Sequence, residues 1–454
     1  MNERQLLEAT AARAADFLES LPDRPVAGGV DFEELLARLG GPLPEEPTDA
    51  GAVVDDLAAA AETGLVASTG GRYFGFVTGG ALPAALAADW LACAWDQNAH
   101  SYVASPAGAA VEEVCRRWLV ELLGLPAHAS LGLVTGCQMA NVVGLAAARH
   151  HVLAEVGWDV ARDGLIGAPP LRVVAGDERH VTIDRALRLL GLGSGRIVAV
   201  AADGQGRMRP DALRDALREG SGPTIVCAQA GNVNTGSFDP LAEIAAAARE
   251  AGAWLHVDAA FGLWAAASRT LRHLVEGVEL ADSWAADAHK WLNVPYDCGL
   301  VLCTRPEAHR AAMRISASYL FEGVRDGTDW APDSSRRARG FAVYAALRSL
   351  GRSGIEELVD RCCALARRFA EQLGAQPGVE ILNDVVLNQA LVRFGDDERT
   401  RAVIARVQGD GTCWLGGTTW QGRAAMRISV SNWRTTEADV DRSVRAILAA
   451  ASTV

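Results

Sequence analysis

The sequence predicts an α/β protein: a large domain on a mostly parallel seven-stranded sheet, with a small C-terminal α+β domain behind it. Three observations predict this. From residue 131 to about 305, short apolar runs alternate with amphipathic helical stretches, the pattern of a parallel sheet covered on both faces. After Cys303 the alternation stops, and long helical stretches precede a few short strands. Ahead of residue 70 the pattern is helical and broken by Pro/Gly clusters. The expected divisions are 1–70, 71–310 and 311–454.

Taken in order, Leu6-Leu7 to Phe17-Leu18 and then Phe32 to Leu36 have helical spacing, and Gly40-Gly41-Pro42 marks a loop. Arg72-Tyr73-Phe74-Gly75-Phe76 changes the texture to aromatic, with Thr78-Gly79-Gly80 after it. Glycines beside aromatics bring backbone close to something flat, or pack a core loop. Ser105-Pro106 opens a helix, the serine as cap and the proline in the first position. The expected strands are 131–134, 171–175, 197–201, 224–229, 254–259, 283–288 and 299–303. Helices are expected between them at 140–156, 183–190, 210–217 and 241–251. Beyond them come helices at 337–350 and 354–374, strands at 379–382, 389–394 and 424–430, and a last helix at 436–450.

Composition excludes several function classes. The chain has 454 residues and a net charge of −13, which argues against nucleic acid or an anionic membrane as partner. The long apolar runs are Ala-rich and broken by charges, Gly or Pro, so none reads as a spanning helix. The opening Met1-Asn2-Glu3-Arg4-Gln5 has no signal-peptide pattern, and the nine cysteines form no Cys-x-x-Cys pair. The expectation is a cytoplasmic enzyme with reduced thiols. There is no G-x-S-x-G elbow, P-loop, G-x-G-x-x-G or H-E-x-x-H, and no metal site is expected.

The residue around which the reading turns is Lys290. The chain holds 43 lysines and arginines, and Lys290 is the only lysine among them. Arginine can pair and stack, but its guanidinium stays protonated; a lysine amine can condense with an aldehyde. Three further features fall at strand ends, where ligands of open parallel sheets bind. Thr135-Gly136-Cys137-Gln138 joins a strand to a helix start, where free N–H groups suit a phosphate; alone it is equally an ordinary turn. Asp258 ends an apolar strand, where a carboxylate needs a partner such as a protonated ring nitrogen, or caps the next turn. His180 follows the strand at 171–175. A phosphate cup, a histidine, an acid and a unique amine match the groups of pyridoxal 5'-phosphate one for one.

These residues resemble a known family. Arg72-Tyr73-Phe74, Ser105-Pro106-Ala107, Thr135-Gly136-Cys137-Gln138, His180, Gly231-Asn232, His256-Val257-Asp258-Ala259-Ala260, Asp287-Ala288-His289-Lys290-Trp291 and Ser335-Arg336-Arg337 are similar to motifs of the group II pyridoxal-phosphate-dependent amino acid decarboxylases. That family has the aspartate-aminotransferase fold, type I. The resemblance implies that Lys290 forms the imine with the cofactor, Asp258 pairs with its pyridine nitrogen and His180 stacks on its ring. It implies that Gly136, Cys137, Gln138 and His289 surround the phosphate, that Ala260 packs under the ring and that Asn232 stands near the ring hydroxyl. It further implies a homodimer with a shared active site, and a mobile loop whose tyrosine protonates the carbanion; Tyr319 is the candidate. Cys137-Gln138, Asn232-Val233-Asn234 and Asp287 depart from the commonest residues of that family. Arg427 is the candidate for a substrate carboxylate, and Phe74 for its side chain. The expected reaction is decarboxylation of an L-amino acid, aromatic or apolar, to the amine and CO2. The alternative is an oxidative deaminase, aldehyde synthase or aminotransferase on the same fold.

Overall fold

The computed structural model describes residues 1–27, 29–315 and 324–454. Its large sheet has seven strands: β1 Ser130–Val134, β2 Arg172–Gly176, β3 Val198–Val200, β4 Thr224–Gln229, β5 Trp254–Asp258, β6 Ser283–Asp287 and β7 Gly299–Cys303. Their order is β1-β7-β6-β5-β4-β2-β3. The neighbours from β6 through β5, β4 and β2 to β3 pair in parallel, and β7 runs antiparallel to both β1 and β6. β1, β4, β5, β6 and β7 are buried along their whole length, which is why they read as continuous apolar runs rather than alternating ones. Asp258 and Asp287 are the last residues of the adjacent strands β5 and β6. The sheet thus brings two carboxylates to the same end of neighbouring strands, Asp258 level with Ala285 and Asp287 two residues on, with Lys290 three residues past the second.

A second sheet consists of β8 Val379–Ile381, β9 Gln389–Phe394, β10 Gly416–Trp420 and β11 Arg423–Ser429, in the order β10-β11-β9-β8 and antiparallel throughout. β10 was not among the expected strands. Its Gly416-Gly417-Thr418-Thr419 run has weak strand character, but Gln421 and Gly422, both at positive φ, close a two-residue hairpin onto β11. The expected break between two long helices is a kink at Gly351 (φ 60°) inside Gly340–Gly374. The helix after β1 starts at Cys137, three residues before the expected position.

Arg72 ties three segments together: one guanidinium nitrogen donates to Thr412 O, the other to Pro22 O (3.0 Å) and Arg24 O (2.9 Å). Arg336 anchors its own segment to the large sheet through a buried pair with Glu112 (2.8 Å) and a bond to Leu133 O (2.9 Å). By contrast, helix Glu3–Ser20 has no buried residue, and Phe32, Leu36, Leu39, Val53 and Leu57 of the next two helices are exposed.

Candidate active site

Lys290 follows β6 in a turn, and its amine is 3.0 Å from Asp287 Oδ2. The other oxygen of Asp287 accepts the backbone N–H of Cys137 at 2.6 Å and faces His289 Nε2 at 3.4 Å. Burial alone pulls the Lys290 amine down; Asp287, Cys137 and Asp258 outweigh it, and the net shift is upward. The turn is closed from above by Gly79. A Cβ there would stand 1.9 Å from the Lys290 carbonyl oxygen, so the glycine is required by close approach to the Lys290 backbone. Gly80 N donates to Asn293 Oδ1 at 2.6 Å and completes the seal.

Asp258 is held by four donors. Oδ1 faces the Cys137 thiol at 3.4 Å and the Ala260 N–H at 3.3 Å; Oδ2 faces Asn141 Nδ2 and Thr182 Oγ1, both at 3.2 Å. These four contacts fix the orientation of the carboxylate. Cys137 and Asn141 are one helical turn apart and therefore share the face that meets β5. Burial, with the nearby Asp258 and Asp287 carboxylates, pushes the Cys137 thiol well up, so it stays protonated and can donate.

His180 caps helix Val181–Leu189, and its Nδ1 lies 2.8 Å from Thr182 Oγ1. Thr182 therefore joins His180 to Asp258. Burial, with Lys290 and Arg427, lowers the His180 pKa against the pull of Asp258; the imidazole is neutral at pH 7. His289 Nδ1 accepts the Cys298 N–H at 3.1 Å, and the ring lies 4.4 Å from that of Tyr296. Arg427 on β11 donates to Val233 O at 3.2 Å, and its buried Nε has no hydrogen-bond partner among the described residues.

The structure thus brings Gly136, Cys137, His180, Asp258, Ala260, His289, Lys290 and Arg427 to one place. Phe74 does not belong there as a substrate contact. It is 1% exposed and packs edge-on against Phe369, 4.9 Å away; two residues on, the backbone turns through positive φ at Phe76 (54°) and Val77 (56°), and Phe76 is left 62% exposed. Gln138 and Asn232 spend their side chains on the scaffold. Gln138 Nε2 donates to Thr182 O at 3.2 Å, and Asn232 Oδ1 accepts the N–H groups of Asn234 and Thr235. Tyr319 lies outside the described residues. Sequence reasoning missed Asn141, Thr182 and Tyr296. The available signals were the four-residue spacing from Cys137, the two-residue spacing from His180, and the position six residues after Lys290.

The donor set fits pyridoxal phosphate. The N–H groups of Gln138 and Met139 lie in the first turn of their helix, where no intrahelical acceptor exists and the dipole favours an anion. Gly136 presents backbone beside His289, where a Cβ would come to 3.1 Å from the ring. A family model described as the pyridoxal-dependent decarboxylase conserved domain matches residues 33–394. The chain belongs to this family.

Among curated relatives, the acidic amino acid decarboxylase of Bos taurus is 31% identical over 68% of this chain and 61% of its own length. The chain thus spans less than two thirds of that relative. The aromatic-L-amino-acid decarboxylase of Bos taurus is 29% identical over 93% of this chain and 90% of its own. The phenylacetaldehyde synthase of Arabidopsis thaliana is 26% identical over 96% and 93%. The fold matches a crystal structure from Oryza sativa, TDC with PLP and tryptamine, at a TM-score of 0.93 and 24% identity, covering 100% of this chain and 99% of that one. Pyridoxal phosphate is the cofactor of this family, and the fold is the α/β architecture expected from the sequence, with its second small sheet.

Proposed function

We propose that this protein decarboxylates an L-amino acid with an aromatic or apolar side chain, releasing the amine and CO2. The observation that carries the reading is the pair Asp258 and Lys290 at the ends of adjacent strands. The first is a carboxylate fixed by four donors, the second the single amine of the side chains, half-buried and paired. Pyridoxal phosphate, when bound, supplies the electron sink that decarboxylation needs. The residues here do the rest. Lys290 would hold the cofactor at its aldehyde, and its amine is the group placed to accept or return a proton. Asp258 is the counter-charge for the ring nitrogen. The first turn of helix Cys137–Ala154 and His289 hold the phosphate. Arg427, whose Nε has no partner among the described residues, orients the substrate carboxylate. His180 stands with them as a neutral imidazole. Tyr319 is the proton donor that would complete the set.

An aromatic substrate is supported by the group beside the site. Tyr73 stacks on Trp414 at 5.1 Å, Phe76 lies 5.3 Å from the same ring, and Tyr296 lies against His289. The name of the aromatic relative points the same way. We further propose a homodimer with a shared site, its second subunit covering the exposed apolar residues of the N-terminal helices. The organisation into 1–70, 71–310 and 311–454 and a cytoplasmic location belong to the same proposal; all nine cysteines are free thiols, which suits a reducing compartment.

The test is CO2 release from a panel of L-amino acids, run in air, with amine, aldehyde and hydrogen peroxide read in the same samples. CO2 with an equal amount of amine and no peroxide is expected. CO2 with aldehyde and peroxide would assign the chain to the aldehyde-synthase branch, and keto acid without CO2 would assign it to transamination.

A further inference from the structure

Behind Asp258 lies a row of four polar side chains that the reaction itself does not use. Asn141, His256 and Ser283 are each 0% exposed and Trp254 is 2% exposed. Trp254 Nε1 donates to Ser283 Oγ (2.9 Å), Ser283 Oγ meets His256 Nδ1 (2.8 Å), His256 Nε2 meets Asn141 Oδ1 (2.9 Å), and Asn141 Nδ2 donates to Asp258 Oδ2 (3.2 Å).

The direction of every bond follows from chemistry. An indole nitrogen only donates, and a carboxylate only accepts. Asn141 must therefore turn its NH2 to Asp258 and its oxygen to His256, so His256 Nε2 carries the proton. Burial lowers the His256 pKa to about 4, so the imidazole is neutral and has one N–H. Its Nδ1 must then accept, and the Ser283 hydroxyl donates to it. All four donors point the same way, toward Asp258. The imidazole is also clamped: a Cβ on Gly144 would stand 2.7 Å from His256 Cε1, so the helix backbone presses against the ring and fixes it.

We infer that His256 and Asn141 are positioning residues, the last two members of a one-directional hydrogen-bond chain that holds the Asp258 carboxylate in place and aimed at the cofactor's ring nitrogen. The inference rests on the reading of Asp258 as the partner of that nitrogen. Successive donors polarise one another in a buried row, so the bond that reaches Asp258 is stronger than an isolated amide contact. Cutting the chain at His256 takes the donor away from Asn141 Oδ1 and weakens the hold on Asp258 Oδ2.

The experiment is the 15N chemical shift of ring-labelled pyridoxal phosphate bound to the full-length protein, which reports whether the ring nitrogen is protonated, together with the cofactor dissociation constant. In His256→Phe, the shift is expected to move toward the unprotonated value and the affinity to fall about tenfold, the scale of one hydrogen bond to a charged group. His256→Gln keeps a donor toward Asn141 and an acceptor toward Ser283, and is expected to restore both. A purely structural role would lower the unfolding midpoint without moving the 15N shift. A folded His256→Phe protein with the wild-type shift and affinity would overturn the inference. Where that variant does not fold, Ser283→Ala reads the same chain one step earlier, and an unchanged shift there overturns it too. Asp258→Asn separates the two claims. If it leaves the shift unmoved, Asp258 is not the nitrogen's partner; if it moves the shift and His256→Phe does not, only the chain fails.

Discussion

Lys290 Nζ stands 3.0 Å from Asp287 Oδ2, while the opposite oxygen of the same carboxylate accepts the Cys137 N–H at 2.6 Å. One carboxylate thus links the reactive amine to the helix N-terminus that suits a phosphate. It keeps the amine charged and competes for the first N–H of the helix. Asp287→Asn removes the charge beside the amine, while its amide oxygen can still accept the Cys137 N–H. The Lys290 pKa then falls, since Asp287 is its largest upward influence. The variant is expected to take up pyridoxal phosphate at a lower pH than wild type, read from the visible absorption band across a pH series. An unchanged or higher midpoint would contradict this account of the pair.

Lys290→Arg keeps the charge and the contact with Asp287 but removes the nucleophilic amine. Turnover is expected to drop by more than about 10³-fold, the scale on which loss of a covalent catalyst acts. CO2 release measured with saturating cofactor checks this, and retained activity would remove Lys290 from the chemistry.

Gly79→Ala tests the seal over the site. The added Cβ would fall 1.9 Å from the Lys290 carbonyl oxygen, so one backbone segment must move. Overpacking of this kind costs about 1–3 kcal/mol, and a 1 Å displacement of the amine costs on the order of 10²-fold in rate. Urea unfolding and steady-state kinetics measure the two losses. A variant matching wild type in both would show that the turn is looser than its packing implies.

Two buried histidines set a pH dependence. Burial lowers both His256 and His309 to about 4 from an ordinary 6.5. Between these values the unfolded chain binds a proton at each position that the folded chain refuses. Their contribution is therefore complete above pH 6.5 and is lost as pH falls toward 4, each at a slope of about 1.4 kcal/mol per unit. Replacing His309 with glutamine is expected to flatten the acid limb of a stability-versus-pH curve by about that slope. An unchanged slope would contradict it.

Much of this site was legible because its residues break local rules. A lone lysine among arginines, and acids at the ends of apolar strands, are costly or improbable without a partner, so Lys290 and Asp258 stood out. The alternation of strands and helices was legible for the same reason that β4, β5 and β6 are buried on both faces. What the sequence hid depends on the third dimension. Phe74 and Phe76 differ by two residues and are alike in chemistry, yet packing on Phe369 buries only the first. Asn141 and Thr182 have no distinctive local pattern; they matter because one helix face and one cap converge on Asp258. β10 was hidden because its strand character comes from pairing with β11.

The central claim is that Lys290 holds the cofactor. Borohydride reduction of the purified protein with bound pyridoxal phosphate, followed by mass mapping of its peptides, tests it most directly. One pyridoxyl group on the peptide that contains Lys290 is the predicted result. No modified peptide, or modification at the N-terminal amine alone, would contradict it.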